Sequence, residues 1–159
     1  MTVTVSVWRI AKETPEFPAA DISGGGAKAY GGRWNAKGRA VVYAANTIAL
    51  ATLETLAHLG DDIIARNRFL VEIQVPIAVW KARRKFDAAD LAPTWLAEPP
   101  GMASIGIGND WLGEGTSALL LVPSVIVPEE HNVLINPAHP DAAGIQAIVR
   151  RQFIYDPRL

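Results

Sequence analysis

The run SALLLVPSVIV at residues 117–127 constrains the fold of this chain more than any other stretch. It is dense in Leu and Val and far short of the roughly 20 residues of a membrane-spanning helix, so it reads as a central β-strand. Pro123 denies that strand one ladder hydrogen bond and predicts a bulge or bend there. A chain built around such a strand needs partners on both sides, and the sequence offers several. Residues 2–10 set Val3, Val5 and Val7 at alternate positions before Trp8 and Ile10, the pattern of a strand with one buried face, and Arg9 stands among them. AVVYAA at 40–45, FLVEIQV at 69–75 and residues 133–136 read as further strands. Pro76 stops the third of these, and residues 78–80 are expected to resume the sheet after a kink.

Helical signals are fewer. Asn46-Thr47 offers a side-chain oxygen to cap a helix over IALATLETLAHLG, ending at Gly60. That helix is apolar on nearly every face and is therefore expected to be buried. Residues 141–151 predict a second, short one. Between Lys12 and Trp34 the prolines Pro15 and Pro18 and the clusters Gly24-Gly25-Gly26 and Gly31-Gly32 predict loop. Residues 83–115 show no clear period and read as a long irregular insert of the kind that serves as a lid. A length of 159 residues fits one domain. The expectation is a single α+β domain, residues 1–159, with a mixed or mostly antiparallel central sheet and few helices.

Composition removes whole classes of function. Fifteen Lys and Arg against sixteen Asp and Glu leave a formal charge of −1, without the basic excess that phosphate-binding surfaces carry, so direct nucleic-acid binding is not expected. There is no cysteine, which excludes disulfides, thiolate nucleophiles and zinc–thiolate sites. MTVTVSVWRI has no basic segment followed by an apolar core, and the expectation is a cytoplasmic protein with no membrane association.

Within this frame a few residues stand out chemically. Glu54 lies in an apolar helix beside Leu50, Leu53 and Leu56, where a carboxylate needs a compensating partner. That partner is either structural, a core arginine or His58 one turn on, or a bound substrate. Arg33 follows two glycines that permit close backbone approach, and its donor fork suits phosphate or carboxylate. It could instead stack on Trp34 or pair with Glu54. Tyr43 is the only polar-tipped side chain of its strand. Gly24-Gly25-Gly26 lacks the preceding strand, the following helix and the acidic spacing of a dinucleotide-binding fold, and no G-K-[ST] of a P-loop exists. His58, His131 and His139 are too dispersed for a metal motif, and Ser124 has no G-x-S-x-G setting.

Taken together, WRI (8–10), GGRWN and VVYAA within 31–45, ALATLETLAH (49–58), GNDWL (108–112), the stretch 117–141 and the terminal FIYDPRL resemble the RES-domain family, named for an Arg, a Glu and a Ser. The resemblance runs nearly end to end. It implies an ADP-ribosyltransferase-like fold and a toxin of a toxin–antitoxin module that attacks NAD+, by hydrolysis or phosphorolysis of the nicotinamide–ribose bond or by transfer of ADP-ribose to a protein. Carried over by position, it implies catalytic or binding roles for Arg33, Tyr43 and Glu54, with Arg9 as a further arginine of the pocket. The family serine falls on Ser124 or on Ser117.

Arg9 and Arg33 would then bind the pyrophosphate and Tyr43 would line the nicotinamide pocket. NAD+ is implied as substrate, with no metal or other cofactor. An Xre-like helix-turn-helix antitoxin is the implied protein partner. A non-catalytic binding module, with Arg33 and Glu54 as a structural pair, is the alternative from a different class.

Overall fold

The computed structural model describes residues 3–59 and 66–159; Thr2 and the expected helix end at Gly60 lie outside them. Seven strands form one mixed sheet: β1 (Thr4–Lys12), β2 (Val42–Ala45), β3 (Arg68–Pro76), β4 (Arg84–Lys85), β5 (Leu119–Pro123), β6 (His131–Ile135) and β7 (Gln146–Gln152). The order across the sheet is β4-β5-β6-β2-β1-β3-β7, and only the β4–β5 pair is parallel. Among the described residues four helices accompany it: α1 (Gly25–Tyr30), α2 (Ile48–Leu59), α3 (Ile77–Lys81) and α4 (Met102–Glu114). This is the expected α+β domain with a largely antiparallel sheet. No described helix is long and apolar enough to cross a membrane.

Alternation along the strands sorts the core. One face carries Val7, Val42, Ala44, Val71, Ile73, Leu121, Val133 and Ile135, closed in part by Val79 and Trp80 of α3. The other face is split in two. Trp34, Trp95, Trp111, Leu120, Val122 and Leu134 pack over β5 and β6. Ile10, Ala45, Leu50, Ala51, Leu70 and Phe153 pack over β1 and β3 beneath α2. The split has a cause in the sheet itself: β1 pairs with β3 along nine residues, but with β2 only at Trp8 and Ala45. Beyond that single rung the strands diverge, and the space between them is the root of a cleft.

Several sequence-based expectations are corrected. Residues 78–80 do not continue the sheet: Pro76 adopts φ −54 and ψ 141 and leads into the short helix α3. The run 117–127 is strand only over Leu119–Pro123, because Pro123 ends the ladder and Ser124 turns to donate its N–H to the Glu130 carbonyl. Residues 141–151 are a 3₁₀ turn (Pro140–Gly144) followed by the edge strand β7. The polar Gln146, Arg150, Arg151 and Gln152 hide its strand character, since β7 is largely exposed.

Helix α2 is not buried all round. Only Leu50 and Ala51 are; Leu53 is 38% exposed, and a separate flank carrying Glu54, Thr55 and His58 faces the cleft. Its cap is Thr47, whose hydroxyl accepts the Leu50 N–H at 3.1 Å. A six-residue helix, Gly25–Tyr30, does begin within the glycine triplet, although the chain just before it is not strand.

The segment 83–115 is the largest correction. It contains β4, two 3₁₀ turns (Ala88–Asp90 and Pro93–Leu96) and the thirteen-residue helix α4. Gly106, Gly108 and Gly113 weaken the helical signal in sequence. Their presence has a packing reason at Gly108, where a Cβ would stand 1.6 Å from the Trp34 carbonyl oxygen. Ser104, Gly108 and Trp111 form the buried stripe of α4, spaced as one helix face requires.

Candidate active site

The divergence of β1 and β2 opens a cleft of about 1020 Å³, at the upper end of the range for small-molecule sites and roomy enough for a dinucleotide. Arg9, Arg33, Tyr43 and Glu54 all line it, together with Asn132 and Glu98. The fold therefore gathers residues that are up to 123 positions apart, from Arg9 to Asn132, around one cavity.

Glu54 sits on the α2 flank that faces the cleft and is half-buried rather than enclosed, a correction to the expectation of a buried acid. Its Oε1 accepts two hydrogen bonds, from the Ser124 hydroxyl at 2.6 Å and from Asn132 Nδ2 at 2.8 Å. Its Oε2 has no hydrogen-bond partner among the described residues. Neither structural partner considered for it is found: no arginine pairs with Glu54 among the described residues, and His58 donates from Nδ1 to the Glu54 backbone carbonyl at 2.7 Å, not to the carboxylate. The outcome is a carboxylate fixed by two neutral donors.

The two serines separate cleanly. Ser124 is fully buried behind Glu54, and its oxygen also accepts the N–H groups of Ile126 and Val127, both at 3.1 Å. One donor and two acceptor positions are thereby used, so the hydroxyl has a single orientation and holds Glu54 in turn. Ser117 accepts from Trp111 Nε1 at 3.0 Å and donates to the Leu119 carbonyl at 2.8 Å. It ties α4 to the start of β5 and does not line the cleft.

Arg9 bridges the gap where β1 and β2 part, donating from Nη1 to the Tyr43 carbonyl at 2.9 Å. Its Nε is buried with no partner among the described residues. Burial pulls the guanidinium below the usual arginine range, partly offset by the nearby Asp21. A desolvated cation with an unused donor is suited to an anionic ligand.

Arg33 has both donors of Nη1 and one of Nη2 engaged. It bonds to the carbonyls of Trp95 at 3.0 Å and Ala97 at 2.7 Å, and pairs with Glu98 at 2.6 Å. It neither pairs with Glu54 nor is it stacked on Trp34 among the described cation–ring contacts.

Tyr43 belongs to the scaffold of the glycine loop as much as to the cavity. Its hydroxyl donates to Asn35 Oδ1 at 2.6 Å and accepts the Trp34 N–H at 3.0 Å. Burial pushes the phenol well above its ordinary range, so it stays neutral. A Cβ on Gly32 would lie 2.6 Å from that hydroxyl, which is why the loop carries glycine there.

Asn35, almost fully buried, donates from Nδ2 to the carbonyls of Ala27 and Arg39 and fastens the loop. The GNDWL segment supports the same loop: Gly108 admits the Trp34 carbonyl, and Asn109 accepts the Ala36 N–H at 3.1 Å. Sequence reasoning assigned no role to Asn35, Asn132 or Glu98. The first two lie inside the matching stretches, and position in those stretches was the only signal available. No group of His, Asp or Glu side chains able to hold a metal occurs among the described residues.

The chain is similar to several known proteins in sequence and in fold. The chain is 52% identical over 157 residues to a Sphingobium sp. protein named Prs ADP-ribosylating toxin, covering 99% of this chain and 98% of that one. It is 36% identical over 144 residues to a Yersinia enterocolitica protein named Toxin Res, with 90% and 93% covered. In fold it is similar to a chain of the Mycobacterium tuberculosis MbcT–MbcA toxin–antitoxin complex, with TM-score 0.68, 13% identity, and 95% of this chain and 86% of that one covered. The RES domain profile matches residues 6–156, and the chain belongs to the RES domain family.

Proposed function

We propose that the chain is an NAD+-consuming toxin that breaks the nicotinamide–ribose bond. The observation that carries this reading is the Glu54 carboxylate, oriented through Oε1 by Ser124 and Asn132 on the wall of a dinucleotide-sized cleft that also holds the desolvated Arg9.

The chemistry fits these groups. In NAD+ the C1′–N bond joins a ribose to a cationic pyridine. When it breaks, the electron pair leaves with the ring, nicotinamide departs neutral, and positive charge develops on the sugar. A fixed carboxylate beside that sugar stabilises the charged transition state more than the ground state. Oxygen of an acceptor then bonds to C1′ and any proton it carries passes to solvent. Arg9 supplies a cation for the diphosphate, and Arg33 a second once its contacts with residues 95–98 exchange for phosphate. Ser124 acts on Glu54 rather than on substrate. NAD+ is the substrate, with no metal or other cofactor required.

Water, phosphate and a protein side chain are all adequate acceptors. The name of the Sphingobium relative, 52% identical, favours transfer of ADP-ribose to a protein as the second reading. Release of nicotinamide from NAD+ alone, with and without phosphate, tests the first, and incorporation of labelled ADP-ribose into protein tests the second. In either assay Glu54→Gln should lower turnover by about a hundredfold or more, the scale on which removing a charge-stabilising group acts. A wild-type chain that consumes no NAD+ in either assay would instead be a binding module.

A chain that depletes NAD+ in its own cell needs a restraint, and the fold shared with the toxin–antitoxin complex chain supports an antitoxin as partner. An Xre-like antitoxin with its own helix-turn-helix would supply the DNA binding for which this chain, with net charge −1, is not suited.

A further inference from the structure

Asn132 stands in a row that the sheet register fixes across three strands. It is paired with Ala45 of β2 on one side and with Val122 of β5 on the other, and residues so paired share a face. Ala45 and Val122 belong to the two apolar clusters that flank the cleft. An amide between them is out of character unless it has a polar task. A structural asparagine satisfies backbone groups, as Asn35 does with three carbonyls. The one hydrogen bond that the Asn132 side chain makes among the described residues goes to Glu54 Oε1.

We propose that Asn132 is a positioning residue for Glu54: with Ser124 it clamps Oε1 from the β5–β6 side, so that the unbonded Oε2 is presented to the ribose. This rests on the NAD+-cleaving reading above. The chemical identity of the clamp supports it. A Lys or Arg at this place would orient the carboxylate equally well but would neutralise the charge that the developing cationic sugar needs. A hydroxyl and an amide orient it and leave that charge in place. Two donors from separate elements, the turn after β5 and the strand β6, also fix the carboxylate plane, which one donor cannot do.

The test uses the full chain and three measurements on wild type, Asn132→Ala and Asn132→Asp. Steady-state nicotinamide release should show kcat of Asn132→Ala reduced about ten- to a hundredfold, the scale of a lost hydrogen bond to a charged group, with KM within about twofold. The near-isosteric Asn132→Asp keeps the packing but sets two carboxylates at hydrogen-bond distance, where they share one proton. The acid limb of its kcat profile should move to higher pH by about one unit or more. The ¹³C carboxyl titration of Glu54 should move the same way in both variants whether or not substrate is turned over.

A rise in KM at constant kcat would make Asn132 a substrate contact and overturn the proposal. Unchanged kcat, pH profile and carboxyl titration in a wild-type chain that does turn over NAD+ would overturn it too. If wild type releases no nicotinamide while the titration still moves, the NAD+ reading fails and the Asn132–Glu54 coupling stands.

Discussion

Arg33 and Glu98 form an ion pair at 2.6 Å on the edge of the cleft, the arginine largely covered and the glutamate 77% exposed. With the Trp95 and Ala97 carbonyls, Glu98 occupies the guanidinium fork that would otherwise face a ligand phosphate. A carboxylate and a phosphate compete for the same donors, so on the proposed NAD+ reading a ligand phosphate would have to displace Glu98 at Arg33.

It follows that Glu98→Gln lowers the KM for NAD+, by about 1.4- to fivefold, and leaves kcat nearly unchanged. The range corresponds to the ~0.2–1 kcal/mol typical of exposed ion pairs. Steady-state kinetics check it, and a raised KM would mean that the 95–98 segment must stay closed on Arg33 for substrate to bind.

Ser124 and Ser117 should separate in their effects. Ser124→Ala leaves the Ile126 and Val127 N–H groups without their acceptor and frees Glu54 Oε1 from one donor, so both stability and kcat fall. Ser117→Ala removes the acceptor of the buried Trp111 indole and lowers stability by about 1–3 kcal/mol, with kcat/KM of the folded protein unchanged. Urea unfolding and nicotinamide release, measured on the same preparations, distinguish the two.

Gly108→Ala should be among the most damaging single-methyl changes in the chain. The new Cβ would meet the Trp34 carbonyl at 1.6 Å, and neither backbone can yield without moving α4 off the glycine loop. A loss of about 3 kcal/mol or more is expected by chemical denaturation, at the top of the range for overpacking. Gly106→Ala, whose nearest described neighbour is the flexible Met102 tip at 3.7 Å, should instead stabilise the chain by about 0.5–1 kcal/mol.

Tyr43 gives a pH dependence with a definite sign. Burial raises its phenol above the ordinary value of 10.0, so the unfolded chain ionises before the folded one. Above about pH 10 the unfolded state binds fewer protons, and stability is lost as pH rises from the unfolded toward the folded pKa. Tyr43→Phe should be less stable at neutral pH, by about 1–3 kcal/mol, because Asn35 Oδ1 and the Trp34 N–H lose their partner. Its stability should also fall less steeply between about pH 10 and 11 than that of wild type. Equal slopes in parallel denaturation series would remove the argument.

Local pattern was sufficient where local forces decide. The alternating valines of β1, the apolar centre of β5 and the Thr47-capped start of α2 were all readable, because burial of a strand face or satisfaction of a helix end leaves a short-range signature. Arg33, Tyr43 and Glu54 stood out as polar groups in apolar or glycine-rich surroundings. Helix α4 and strand β7 were not readable, since glycines chosen for close packing against Trp34 mimic a loop and an exposed edge strand lacks alternation.

What the sequence by itself determined is the kind of chain this is: one α+β domain without metal-thiolate chemistry, carrying an acid and two arginines in suggestive settings. Only the tertiary structure decided which serine stands behind Glu54, that Asn132 shares the task, and that Arg33 is held by Glu98 rather than by Glu54. Those choices depend on strand register and on the single rung joining β1 to β2, contacts between residues far apart in the chain, for which no local pattern exists.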